Sequence, residues 1–472
     1  MPKREYILSL THLPLLGLFF VVFGWKESLY FFSLPQAFLF WLVCSSGMIA
    51  LTFGLHMTVL RNLGKSSAIV SFAAIFFLHY SAIYKFLTEQ PALTHWGRHR
   101  MLIPAFAVCW LLVVLYMRFR KTDSVRLILY LNVLFLVLTA GELFQTGWRY
   151  YEYADWWKSF HRKFISAPLT GSQFPRHIPP DIIHIITDAH TSPESVEKFW
   201  NQAKPPMPEE LREKGFYLVS GARSNYDHTG QSVSSLFEMD SIELWKRMDV
   251  ESHLSNGAVE AAIRNGKVPR LLAHNGYKII NFSFFDLPGA PASRENPFFT
   301  DPADTWDFLR AKTLWGKLRH DFLQKPSYES DQETLNQLKT ISLRDYPSPV
   351  YMYVHLVIPH APYFFDREGN LYPEGHLPGK ADHEAYVEQL LYTDSQLQEI
   401  VGNLLRDTAR QPVIIIQGDH GSRILPEKEK DLAERFTILN AWYFPNQDYR
   451  LLHDSMTSRE TYPVLFEKYF AN

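Results

Sequence analysis

The chain has 472 residues, enough for more than one domain, and its 47 Lys and Arg against 49 Asp and Glu leave a formal charge of −2. That balance supplies no basic face of the kind nucleic acid needs. The asymmetry lies in hydropathy: residues 1–146 are mostly long apolar runs, and the remainder has the composition of a soluble domain.

Five runs come close to, or exceed, the roughly 20 helical residues needed to cross a hydrocarbon core: Tyr6–Trp25, Gln36–Val59, Ala68–Phe86, Leu102–Met117 and Val125–Phe144. No small-residue cleavage site follows the first, so it reads as an anchor and not as a removable signal. Alternate loops carry Lys3, Arg4, Arg61, Lys65, Arg118, Arg120, Lys121 and Arg126, against Lys26, Lys85, Arg98 and Arg100 on the other side. Excess basic residues mark the cytoplasmic side. With five spans, everything after Phe144 is then expected outside the cytoplasm. Both cysteines, Cys44 and Cys109, fall within spans, so the outer part has no disulfide.

The next stretch, Gly147–Phe164, is dense in Trp, Tyr and basic residues. Amphipathic rings and snorkelling cations favour the headgroup zone, so residues 147–178 are expected to form an interfacial linker. From Pro179 onward the pattern changes again. PPDIIHIITD, NGYKIINFSFF, SPVYMYVHLVIPH and QPVIIIQGDH each hold a short β-branched or aromatic run entered from Pro, Gly or polar residues. Helical stretches separate them. The clearest puts Val387, Leu390, Leu391, Leu397, Ile400, Val401, Leu404 and Leu405 on one face. Strands alternating with amphipathic helices predict an α/β domain over residues 179–472, with a mainly parallel sheet covered by helices. The charged, poorly patterned segment His320–Tyr346 is expected to be helical surface structure or a lid.

Ligands in such sheets bind beyond the carboxyl ends of the strands. Those ends deliver Asp188, His360, and the pair Asp419 and His420, while Thr229 opens a helical stretch containing Val233, Leu236 and Phe237. Each has a local alternative. Asp188 suits a helix cap, Thr229 an N-cap and His360 a turn between Pro359 and Ala361. Together, two carboxylates and an imidazole around a hydroxyl make a set suited to a divalent metal.

Four motifs carry a resemblance: PDIIHIITD, SNYDHTGQSVSSLFEMD, YVHLVIPHAPYFFDREGN and IIIQGDHG. In this order, after five spans, they resemble the alkaline-phosphatase/arylsulfatase superfamily. The similarity is to its membrane-anchored sulfatase-like branch, which includes lipoteichoic-acid synthases and lipid A phosphoethanolamine transferases. It implies a multi-pass helical membrane domain followed by an extracytoplasmic sulfatase-like α/β domain, in the cytoplasmic membrane. It implies Asp188, Thr229, Asp419 and His420 around one divalent ion, zinc or manganese, with Thr229 as nucleophile, Ser232 three residues on, and His360 contacting substrate. The implied reaction moves a phospho-substituent, of phosphoethanolamine or phosphoglycerol type, from a phospholipid donor to an envelope lipid or glycan. A phosphodiesterase or phosphatase on the same machinery, or a silent protein of the same fold, are the alternatives.

The chain also departs from that pattern. Formylglycine sulfatases need Cys or Ser followed by Pro and Arg at fixed offsets, where this chain has Thr229-Gly-Gln-Ser-Val. Phosphoethanolamine transferases usually carry a further His soon after Asp-His-Gly; here SRILPEKEK follows, with Arg423 the nearby cation.

Overall fold

The computed structural model describes residues 3–90, 93–119, 124–166, 179–247, 252–407, 410–424 and 433–470. Arg120, Lys121 and linker residues 167–178 fall outside them. Two compact units are present, and they interleave in sequence. The first comprises Met1–Ser159 together with Asp249–Ala258 and Phe299–Gln324; the second comprises Phe160–Met248, Val259–Phe298 and Lys325–Asn472.

The first unit is a multi-pass membrane bundle. Its segments Ile7–Phe31, Leu34–Leu60, His99–Phe119 and Ser124–Glu152 are each long and apolar enough to cross. Their outward faces carry Leu42, Leu51, Val108, Leu112, Val133 and Phe144, all exposed. Water would not tolerate so many; lipid favours them.

The expected continuous third span, Ala68–Phe86, is instead two helices, Leu63–Leu78 and Tyr80–Glu89, bent by 59°. The break has a physical cause at its second helix. Ser81 gives its backbone N–H to the Lys312 carbonyl and its hydroxyl to the Ala311 carbonyl, at 3.1 and 2.8 Å. These bonds anchor the start of the new helix on a segment from far along the chain.

Two sets of contacts mark the two ends of the bundle. At one end, Thr305 accepts from Ser33 N–H at 2.7 Å, Gln36 accepts from Trp306 N–H at 3.1 Å, and His99 meets Asp321 at 2.6 Å. At the other, Lys65 donates to the Met117 carbonyl at 2.8 Å and Arg118 to that of Val59. The helix Leu63–Leu78 begins in the second set and stops where Ser81 joins the first. Sixteen residues rise about 24 Å, so this helix traverses the bundle before the bend. The end with Lys65 and Arg118 is the one rich in basic residues.

The aromatic stretch after the last span divides between environments. Trp148 and Tyr151 are exposed, whereas Trp156, Phe160 and Phe164 are buried in protein. Phe160 and Phe164 lie against Trp245 within the second unit.

The second unit is built on one six-stranded sheet. Its strands are β1 (Ile182–Asp188), β2 (Tyr217–Leu218), β3 (Lys278–Phe282), β4 (Val350–Pro359), β5 (Val413–Gly418) and β6 (Asn440–Tyr443), in the order β2-β6-β5-β1-β4-β3. The four strands expected from sequence, β1, β3, β4 and β5, form the parallel part; β6 and β2 add an antiparallel edge. Every residue of β1, β4 and β5 is buried, which is why these strands read as continuous apolar runs and not as alternating ones.

On one face, Ile183, Ile185, Val354, Ile414 and Ile416 pack with Leu397, Ile400, Val401 and Leu404 of the helix Asp382–Leu404. Each such side chain contributes about 1.5–3 kcal/mol on burial. On the other, Tyr353 meets Phe237 of the helix Thr229–Glu238, and Tyr351 meets Tyr462 of the helix Thr461–Phe470. The contact of Phe237 with Tyr353 sets the Thr229–Glu238 helix against the central strands.

The segment His320–Tyr346 is neither a lid nor mere surface structure. Its helix Ser327–Thr340 buries Tyr328, Leu335 and Leu338 in the main core. Fully buried Asp331 accepts the backbone N–H groups of Val357 and Ile358 at 3.0 Å and pairs with Arg294. One carboxylate thus fixes the end of β4, and a charge that looked like solvent exposure in the sequence is structural.

Candidate metal centre at the strand ends

β1 and β5 are parallel neighbours paired in register through Thr187 and Gly418. Their next residues, Asp188 and Asp419, therefore leave the sheet side by side. Gly418 is required here, because a Cβ on it would lie 2.2 Å from the His190 carbonyl oxygen. Asp188, Asp419 and His420 are all buried, and their ligand atoms lie within 4.8 Å of one another.

Local hydrogen bonds orient each donor. Asp419 Oδ1 accepts the N–H groups of Ala189 and His420 at 2.9 and 2.8 Å, so Oδ2 is turned inward. His420 Nδ1 donates to the Gly421 carbonyl at 2.7 Å, which leaves the Nε2 lone pair facing the carboxylates. Nε2 lies 3.4 Å from Asp188 Oδ1 and 3.5 Å from Asp419 Oδ2. Both of those oxygens are buried without a hydrogen-bond partner. Buried carboxylate oxygens are rarely left so, and two of them beside an imidazole lone pair are a donor set that fits a divalent cation.

The electrostatics agree with the geometry. Burial, then the neighbouring Asp419 carboxylate, push the Asp188 carboxyl well above the usual carboxylate range. Burial, then the charge of Arg423, hold the His420 imidazole well below its ordinary value, so it is neutral and able to ligate.

Thr229 is the first residue of its helix and not the cap; His228 occupies that position, in extended conformation. The Thr229 hydroxyl donates to Asp188 Oδ2 at 3.2 Å and lies 3.3 Å from His420 Nε2. Ser232 turns away and donates to the Tyr226 carbonyl at 2.9 Å. All four residues of the expected metal set thus converge on one point.

His360 lies at the edge of this group, its ring 6.3 Å from that of His420. Its Nδ1 is 2.6 Å from the Ala361 carbonyl and its Nε2 is 3.1 Å from Arg423 Nη2. His355, whose part the sequence left open, is fully buried on β4. Its Nδ1 meets the Tyr353 hydroxyl at 3.1 Å, and its Nε2 is 4.0 Å from Asp188 Oδ2. Burial depresses its pKa to about 3.

Four residues near the site, Asp227, His228, Glu434 and Arg435, had no marked place in the sequence argument. Asp227 receives His228 Nδ1 at 2.9 Å and lies 3.5 Å from Arg435. Glu434, buried, accepts from Ile424 N–H. The adjacency of Asp227 and His228 to Thr229 was a usable signal; nothing near Glu434 in the sequence announced its role.

Comparison with known proteins fits this geometry. A family model described as Sulfatase matches residues 180–453. No curated protein matches the chain. Among solved structures, the zinc complex of the C-terminal periplasmic domain of EptC from Escherichia coli is similar at 11% identity, covering 62% of this chain and 83% of that one, with a TM-score of 0.41. The integral-membrane lipooligosaccharide phosphoethanolamine transferase EptA from Neisseria meningitidis is similar at 11% identity, covering 96% and 93%, with a TM-score of 0.41. BT1596, a 2-O GAG sulfatase, is similar at 16% identity, covering 62% and 71%, with a TM-score of 0.40. The family match spans more than half of the 472 residues, and the chain belongs to the sulfatase family, as a membrane-anchored enzyme acting on sulfate or phosphate esters.

Proposed function

We propose that the enzyme is a metal-dependent phosphotransferase of the cytoplasmic membrane, its catalytic unit facing the periplasm or exterior. It moves a phosphoethanolamine- or phosphoglycerol-type group from a phospholipid to an envelope lipid or glycan. The observation that carries this is the Thr229 hydroxyl, unused as a helix cap and held 3.2 Å from Asp188 and 3.3 Å from His420. The apolar spans favour a lipid donor, and a threonine in place of the formylglycine precursor favours phosphate over sulfate esters.

Asp188, Asp419, His420 and Thr229 would hold one zinc or manganese ion. Bound there, the ion supplies Lewis-acid activation of the hydroxyl and neutralises charge on the substrate. Thr229 Oγ1 attacks phosphorus. Its proton has a destination in Asp188 Oδ2, the oxygen it already bonds; the phosphorus–oxygen bond to the donor breaks, and the departing oxygen takes a proton from water and leaves as the alcohol. The resulting phospho-threonine passes its group to an acceptor hydroxyl. The helix N-terminus at Thr229, whose cap residue His228 makes no side-chain capping bond, favours the anionic substrate.

Intact-mass analysis of the purified chain after incubation with labelled phospholipids tests this. Wild type gains an adduct whose mass names the group, and Thr229→Ala gains none. An adduct that persists in Thr229→Ala removes the nucleophile assignment; release to water alone, with no acceptor used, makes the enzyme a hydrolase.

A further inference from the structure

The loop after β5 is built around an arginine. Arg423 adopts a left-handed backbone, φ 57°, a conformation that side chains with a Cβ disfavour and that collects at functional sites. The loop is pinned on both sides of it. Glu434, 1% exposed, accepts Ile424 N–H at 2.8 Å and the Ser422 hydroxyl, while Gly421 N–H donates to the Arg435 carbonyl at 2.8 Å. A Cβ on Gly421 would sit 1.8 Å from the Glu434 carbonyl oxygen, so only glycine permits this close approach.

The guanidinium is held by His360. Nδ1 of that ring lies 2.6 Å from the Ala361 carbonyl and so carries the ring proton; the Nε2 lone pair accepts from Arg423 Nη2 at 3.1 Å. A neutral ring fixed in this way has no proton to give at Nε2. Elsewhere in the same unit, Arg294, Arg367 and Arg410 are each paired with a carboxylate. Among the described residues no carboxylate lies within ion-pair distance of Arg423. The guanidinium stands beside the site nonetheless, bonded to a ring that lies 6.3 Å from that of His420.

We propose that Arg423 binds the non-bridging oxygens of the phosphoryl group attacked by Thr229, and that His360 is a positioning residue that aims the guanidinium. This rests on the Thr229 reading. A guanidinium offers parallel N–H donors matched to a tetrahedral oxyanion. Donors fixed where charge develops are the largest electrostatic source of rate in such transfers. The device also answers the departure noted in the sequence, where a cation other than histidine follows Asp-His-Gly.

The test uses the full chain in detergent, loaded with zinc, and inorganic phosphate as the probe in titration calorimetry. Arg423→Gln weakens phosphate binding roughly ten- to a hundred-fold, with metal content and melting temperature unchanged, and Arg423→Lys falls between. His360→Ala weakens binding, whereas His360→Gln, whose Oε1 can accept the same N–H, restores it. Phosphate affinity unchanged in Arg423→Gln overturns the proposal, as does metal loss in that variant. A wild-type chain that binds no phosphate overturns it too. A kcat that collapses in His360→Gln with phosphate binding intact makes His360 an acid instead. Thr229→Ala, assayed alongside for the mass adduct, separates failure of this inference from failure of the nucleophile assignment.

Discussion

Replacing Asp188 by asparagine preserves the side-chain shape while removing one of two charges whose ligand atoms lie within 4.8 Å. At that separation two unit charges repel by about 3.5 kcal/mol at an effective dielectric of about 20. Without metal, the fold relieves this by keeping Asp188 protonated, since burial and then Asp419 raise its pKa well above the ordinary value. The sign follows from the raised value: the folded state keeps a proton that the unfolded chain has released. Stability is therefore full below the ordinary carboxylate pKa and is lost as pH rises through the raised one, by at most about 1.4 kcal/mol per pH unit. In Asp188→Asn that loss is absent. The chelated variant should exceed chelated wild type by about 2–3 kcal/mol at pH 8, and the two should converge near pH 4. Adding zinc or manganese reverses the order at pH 8. A ligand at about 100 times its Kd adds about 2.7 kcal/mol to wild type, and the variant, short of one donor, gains far less. Thermal unfolding of the detergent-solubilised chain at both pH values, with chelator and with metal, reads all four states. Equal metal stabilisation of wild type and variant would falsify the assignment of Asp188 as a ligand, and identical chelated curves at pH 8 would remove the repulsion argument.

Other outcomes follow from the same structure. Thr229→Ser keeps a hydroxyl at the helix start and should retain the mass adduct, while Thr229→Ala should lower turnover roughly 10³-fold or more; equal rates in the two would discount the hydroxyl. Arg423→Gly relieves the left-handed strain and should raise unfolding stability by about 1 kcal/mol while turnover falls, a trade measurable by pairing thermal unfolding with the adduct assay. Asp331→Asn leaves Arg294 buried without its counter-charge and should destabilise the second unit by about 3–5 kcal/mol, read as a lower melting temperature. In a chain with Cys44 and Cys109 replaced by serine, a cysteine at Trp96 should react with an impermeant maleimide from outside intact cells and one at Met57 should not; the reverse pattern would overturn the orientation.

The sequence was most informative where burial is total. Runs such as IIHIITD and VIIIQGD must be buried on both faces, so they announced the parallel strands and their carboxyl-end acids. It was least informative where partners lie far along the chain. β2 has only two residues and β6 four, too short for a pattern of their own; β6 exists because the β5 edge offers it hydrogen bonds, and β2 because β6 does in turn. Asp331 and Glu434 looked like ordinary surface acids because nothing local shows that backbone N–H groups will converge on them. The bend at His79 was equally invisible, since its cause lies with Ala311 and Lys312. Thr229 was the reverse case: the residue was legible, but whether it caps its helix or turns its hydroxyl to Asp188 and His420 is settled only by the fold.

The interleaving of the two units bears on how the protein is made. The membrane bundle includes Asp249–Ala258 and Phe299–Gln324, segments synthesised long after the last span has left the ribosome. Bonds such as Ser33 to Thr305 and His99 to Asp321 close only when residue 321 has been synthesised. Insertion of the spans and completion of the bundle are therefore separate events in time. Translation of much of the catalytic unit falls between them, and a chain cut short after the linker would leave a bundle with its loop contacts unmade.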